Sequence, residues 1–231
     1  MKIISKIIHG TAAGFALAAV LFCTATAQAA SFDCAKAKSN IEKAICADDD
    51  LANLDEYLGR YYGAALEAVK DAAACVKADQ RDWVKHVRDA CGPEAVCLKT
   101  AYLARLAVFD GLQPGVTALK HVELPRGPVL MTAIPPEADT APSPSARPFE
   151  ARGRLVHESA DINNMGFAVK PAKGQVRAFV YDMSIGNSPA HEVVRGLIEQ
   201  EPNANFLVRG SEGAEGGFSD GECRFVYKLP E

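Results

Sequence analysis

Residues 39–69 read SNIEKAICADDDLANLDEYLGRYYGAALEAV, and their spacing decides what the N-terminal half of the chain is. Ser39 followed by Glu42 is a capping box, in which hydroxyl and carboxylate each accept a free amide at a helix start. The short helix so opened ends near Cys46. Asp48, Asp49 and Asp50 then place negative charge at the start of a second helix, where the helix dipole favours it. In that helix Leu51, Leu54, Leu58, Tyr61, Ala65 and Val69 recur at steps of three and four, one apolar stripe. A third helix is expected to bury Val76, Trp83 and Val87. Gly92-Pro93 in CGPEAVC breaks it, and a last helix lines up Leu98, Tyr102, Leu106 and Phe109. A bundle of this size buries a modest core and needs covalent help.

Upstream, Lys2 and Lys6, the apolar run GTAAGFALAAVLF and the small-residue end ATAQAA have the layout of a cleaved secretory signal over residues 1–30. The apolar run is too short to span a bilayer. Phe22 before Cys23 disfavours lipidation of that cysteine, since a small residue is wanted there. The expectation is a periplasmic or secreted protein that is neither membrane-spanning nor lipid-anchored.

Of the seven cysteines, six lie beyond this leader, an even number in an oxidising compartment. Cys34 and Cys46 bracket the first short helix, and Cys91 and Cys97 flank the Gly-Pro turn. Because a helix of seven steps spans roughly 10 Å, cross-links from the Cys34/Cys46 arm to Cys91 and Cys97 are expected, with Cys34–Cys46 and Cys91–Cys97 as the alternative. Cys75 and Cys223 either pair with each other or stay free. The loose Cys91/Cys97 spacing without an adjacent histidine argues against a zinc site.

Eight of the thirteen prolines fall between residues 113 and 150, which reads as a linker. Beyond it come three short β-branched runs, a helix opened by Ser188 and Pro189, and two further strands. That order suggests an OB-like barrel, with Gly153, Gly174 and Gly210 at its bends. The chain is therefore expected to be α+β with two domains: a signal peptide (1–30), a disulfide-tied helical bundle (31–111), a Pro-rich linker (112–150) and a small β-rich OB-like domain (151–231).

Several functions are disfavoured. With Lys2 and Lys6 gone, 23 basic side chains face 29 acidic ones, a net charge of −6, which does not suit nucleic acid. Arg177, Phe179 and Tyr181, and Arg224, Phe225 and Tyr227, alternate, but residues two apart share one face of a strand, so the aromatics read as core. The motifs of serine hydrolases, zinc proteases and phosphate-binding loops are missing, and His86, His121, His157 and His191 are scattered. No enzyme, cofactor or metal is expected. Asp48, Asp49 and Asp50 are the candidate contacts to a basic partner, and glycan binding remains open for the β-rich part.

The stretches FDCAKAKSNIEKAIC, LANLDEYLGRYYGAAL and QRDW through RDACGPEAVCLKTAYLARL resemble the N-terminal domain of the LprI-type lysozyme inhibitors, over residues 32 to about 110. The matching positions include Cys34, Glu42, Cys46, Asp55, Tyr61, Gln80, Trp83, Cys91, Cys97, Tyr102 and Arg105. Cys75 is extra, and the step from Trp83 to Arg88 is one residue longer than the family's pattern. The resemblance implies an exported, disulfide-tied helical domain whose partner is a lysozyme-like enzyme, with an envelope adaptor as the alternative. It also suggests an ion pair between Asp55 and Arg105.

Overall fold

The computed structural model describes residues 30–137, 140–142, 144–161, 164–180, 188–213 and 217–231. The expected leader, apart from Ala30, and Tyr181 lie outside the described residues.

The helical half matches its sequence signals closely. Helix α1 (Asn40–Ala47) starts at a complete capping box, Ser39 Oγ accepting from the Glu42 amide and the Glu42 carboxylate accepting from the Ser39 amide. Helix α2 (Asp49–Ala68) has Asp48 as its N-cap and buries Leu51, Leu54, Leu58, Tyr61 and Ala65, with Val69 buried just after it. It packs against α4 (Ala95–Asp110), which buries Leu98, Tyr102, Leu106 and Phe109 completely. Helix α3 (Ala73–Trp83) buries Val76 and Trp83 but not Val87, which is 43% exposed. The cause is a π-helical stretch over Val84–Arg88. A π turn takes in one extra residue and rotates the next side chains out of phase. It falls on the Trp83–Arg88 step.

The C-terminal half is one antiparallel six-stranded sheet in the order β1-β6-β5-β2-β3-β4. Its strands are β1 (Val129–Ile134), β2 (Pro148–Asp161), β3 (Asn164–Lys170), β4 (Arg177–Val180), β5 (Phe206–Ser211) and β6 (Arg224–Lys228), with α5 (Pro189–Gln200) between β4 and β5. Ser188 caps α5 and Pro189 opens it.

The expected barrel closure is absent: an OB fold has five strands, whereas here there are six, and among the described residues nothing pairs β1 with β4. Long β2 bends the sheet. Its first part pairs with β5 and, from Arg154 onward, the strand pairs with β3. Gly153 stands at the changeover, where a Cβ would lie 2.2 Å from the Lys170 carbonyl oxygen, so only glycine fits.

The segment expected as a linker is not a free tether. Residues 129–134 are β1, paired with β6 and packed against α4 and α5. Pro128 and Pro135 bound this strand rather than interrupt it, and proline is tolerated at such positions. The two halves share a core through the sheet. Leu130, Ala133, Leu207 and Tyr227 face the bundle and join its apolar cluster. Their neighbours Ile134, Phe206, Val208 and Val226 face the other way, toward α5. Helices, sheet and α5 thus make three layers.

The disulfides are Cys34–Cys46, Cys75–Cys223 and Cys91–Cys97, with Cα–Cα distances of 5.8, 5.7 and 5.5 Å. The expected cross-links from the arm to the Cys91/Cys97 turn are not formed. A short helical turn at Cys34–Lys36 doubles the chain back along α1 and brings Cys34 beside Cys46. Gly92, at φ +58°, turns the chain so that Cys91 meets Cys97. With all six bonded to one another, none is a free thiol, nucleophile or metal ligand.

Cys75–Cys223 bridges 148 positions and ties bundle to sheet. On the chain-entropy account its loss costs about 5 kcal/mol, against about 3 for Cys34–Cys46 and about 2 for Cys91–Cys97. Urea unfolding of the three paired Cys→Ser variants is expected to rank them in that order. A Cys75→Ser/Cys223→Ser protein as stable as the parent would mean that the shared core alone joins the halves.

Candidate functional site

Asp48, Asp49 and Asp50 do not form three equivalent free charges. Asp48 Oδ1 caps α2, accepting from the amides of Asp50 and Leu51 at 3.0 and 3.1 Å. Its other oxygen lies 3.1 Å from Lys99 Nζ, which also reaches Asp50 at 3.0 Å. Lys99 is held there by α4, two residues beyond the Cys91–Cys97 loop. Partial burial pushes the Asp48 carboxyl up, but the Leu51 amide and Lys99 more than reverse this, holding it below the usual carboxylate range. Lys99 is raised by the hydrogen bond to Asp50, then by that to Asp48. Asp49 is exposed and has no ion pair among the described residues, and the Asp50 side chain is 79% exposed. Asp49 and Asp50 are therefore the carboxylates this stretch exposes, Asp50 while it shares Lys99 with Asp48.

Asp50 also stands at the edge of a cleft of ≈ 630 Å³ between α2, α4 and residues 117–123. Arg60 crosses it, hydrogen-bonded to Glu56 and, through Nη1, to Thr117 Oγ1 at 3.2 Å.

Beneath this face lie Asp55 and Arg105, each 6% exposed, but they do not pair with each other. Asp55 Oδ1 accepts from the Tyr102 hydroxyl at 2.7 Å, while Oδ2 accepts from the Ser31 amide and hydroxyl at 2.8 and 2.5 Å. Arg105 instead pairs with Asp79 at 2.7 Å, donates to Gln80 at 2.8 Å and lies over the Phe109 ring. The expected ion pair fails because each group already has nearer partners on other segments. Ser31 and Asp79 were missed from sequence. Asp79 adjoins Gln80, a position of the family resemblance, but nothing in their order showed which side chain Arg105 would reach. Trp83 is core, edge-on to Tyr102.

In the sheet the aromatic alternation is also structural. Phe179 and Tyr227 are buried, and Arg224 is 1% exposed. The Arg224 guanidinium donates to the carbonyl oxygens of Phe179 (2.6 Å) and Pro135 (3.3 Å) and to Asp220 (2.7 Å). Burial lowers its pKa, with Asp220 and then Glu137 opposing. Such a cation locks loops together and is not offered to a ligand.

Comparison with known proteins places the helical half. Residues 34–113 match the family model described as Lysozyme inhibitor LprI. Two curated relatives named Lipoprotein LprI, from Mycobacterium bovis and Mycobacterium tuberculosis, are each 34% identical over 86 residues. The aligned part is 35% of this chain and spans 42% of each relative, under half their length. No solved structure matches. The LprI resemblance read from Cys34 to Arg105 is thus borne out for the helical half. Three disulfides fit an extracytoplasmic protein, and among the described residues no helix is long and apolar enough to cross a membrane.

Two substitutions check the buried polar groups. Tyr102→Phe strips a buried carboxylate of one donor and should cost about 2 kcal/mol in chemical denaturation. Tyr61 donates to Asp110 at 2.8 Å, and burial, then that bond, push its hydroxyl up to about 12. Its folded pKa exceeds the unfolded value of about 10. The stabilisation is therefore complete below pH ~10 and lost as pH climbs through ~12. Tyr61→Phe should flatten that alkaline loss, measured by unfolding at a series of pH values.

Proposed function

We propose that this is an exported, non-enzymatic binding protein whose helical half inhibits a lysozyme-like cell-wall hydrolase. The observation that carries this reading is the match of residues 34–113 to the lysozyme-inhibitor family. The outward carboxylates of Asp49 and Asp50 and the net charge of −6 suit a basic enzyme, since complementary charge speeds encounter. All six cysteines expected after the leader are oxidised in pairs, which supports a periplasmic or secreted location. The mycobacterial relatives carry the word lipoprotein in their names. Here Phe22 before Cys23 favours a protein released by signal cleavage, without a lipid anchor.

The oxidised protein should slow lysis of cell-wall suspensions by a basic lysozyme, more strongly at low salt, where surface charges are less screened. Asp49→Asn with Asp50→Asn should weaken inhibition by about threefold to tenfold and reduce the salt dependence. No slowing at a micromolar excess of inhibitor removes the reading. Co-sedimentation with peptidoglycan without any inhibition would point to the adaptor alternative.

A further inference from the structure

The cleft beside α2 has a chemistry that the inhibition reading does not use. Leu54 and Tyr57 of α2, Leu103 of α4 and Val122 give it an apolar part. Three acids, Asp50, Glu56 and Glu123, face three bases, Arg60, Lys99 and Lys120, so with His121 neutral the lining carries no net formal charge. Much of this charge is already paired: Lys99 with Asp50, and Arg60 with Glu56. Between the pairs, on the same face of α2, stands Asn53, whose amide has no side-chain partner among the described residues. Asp50, Asn53, Glu56 and Arg60 succeed one another at steps of three and four, a row of planar polar groups about 15 Å long.

The facing wall is a formed structure. Arg60 holds Thr117, and Asp110 Oδ1 accepts from the Gly115 amide at 3.2 Å. His121 is at φ +58°, the only non-glycine residue with positive φ among those described. That left-handed state is unfavourable for a non-glycine side chain and persists where the surroundings over-determine it.

These features narrow the ligand. Polyphosphates and nucleic acids need surplus positive charge, and basic peptides need surplus negative charge; paired charges offer neither. A wholly apolar ligand would desolvate Asn53 and the ion pairs without bonding them. A neutral molecule with apolar faces and many hydroxyl and amide groups meets both parts of the lining. The volume is in the range of small-molecule sites. We propose that the cleft between α2, α4 and residues 117–123 binds a neutral oligosaccharide, its C–H faces on the apolar lining and its hydroxyls bridged by Asn53 and the carboxylates beside it. This is a second binding function, which shares Asp50 with the surface proposed to meet the enzyme.

The test is an amide NMR titration of the oxidised protein with tetra-N-acetylchitotetraose, and in parallel with an anionic tetragalacturonate, in the absence of lysozyme. The neutral sugar should give saturable shifts confined to residues 50–60, 99–103 and 117–123, with Kd about 1 mM or tighter. Its affinity should change by less than about twofold between low and high salt. Asn53→Ala and Glu56→Ala should each weaken binding by about fivefold or more. Alanine favours the helix at both positions, so folding is not at risk. No saturable shift by about 10 mM, shifts mapping elsewhere, equal or tighter binding of the anionic sugar, or an Asn53→Ala protein that binds like the parent would each overturn the proposal.

Discussion

Burial of the central strands on both faces is the constraint on which the rest of the molecule depends. Along β5 and β6 successive side chains point to opposite sides. Leu207 and Tyr227 enter the bundle core, whereas Phe206, Val208 and Val226 enter the core under α5. Neither half can be withdrawn without exposing apolar surface of the other, at roughly 25 cal/mol for each Å² uncovered. Cys75–Cys223 crosses the same seam and limits how far the halves can separate in the unfolded chain. Together they explain why a small helical bundle with a modest core is stable here: it borrows a wall from the sheet.

That arrangement decides which surfaces of the helical half are free. Leu130 and Ala133 of β1 are absorbed into the bundle's apolar cluster, so that side is closed to partners. A second hollow, of ≈ 510 Å³, lies along the seam itself, with Asp79, Phe149, Arg209 and Tyr227 in its lining. The acidic start of α2 and the cleft beside it are lined by no residue of the sheet. On the outer side of α2 and α4, exposed Asp49 and Asp50 sit beside a hollow whose lining has no net formal charge and is partly apolar.

The sequence carried the local signals well and the non-local ones poorly. The stripe from Leu51 to Val69, the Ser39/Glu42 capping box, the Gly92 turn and the Ser188-Pro189 helix start depend on residues within one or two helical turns, and each was legible. The disulfide pairing was not, because the reversal at Cys34–Lys36 is a property of a turn, not of periodicity. Residues 129–134 were hidden by the prolines around them: composition averages over a window, whereas a strand needs only six residues between its bounding prolines. Val87 is exposed because the α-helical phase breaks just after Trp83, at a π-helical stretch that periodicity alone does not reveal. Asp49 and Asp50 could be read as charges, but the Lys99 that ties up Asp48 lies half a domain away in the chain.

The same distinction bears on what family resemblance can transmit. Asp55, Tyr102, Gln80, Arg105 and Trp83, which carry much of the likeness to LprI-type proteins, are committed to one another or to neighbouring segments. Asp55 ties α2 to Tyr102 on α4 and to Ser31 before α1, and Arg105 ties α4 to Asp79 and Gln80 on α3. Removing Arg105 leaves Asp79 without its cation, at a typical cost of about 3–5 kcal/mol for a broken buried pair, whereas removing Asp55 leaves the Tyr102 and Ser31 donors unpaired, at about 1–3 kcal/mol. These residues are therefore held by the demands of folding whatever the domain binds. Side chains that the core does not need, such as Asp49, Asn53 and those of residues 117–123, can change with little cost to the fold. A chain can keep such a scaffold and still differ from its relatives in what it recognises.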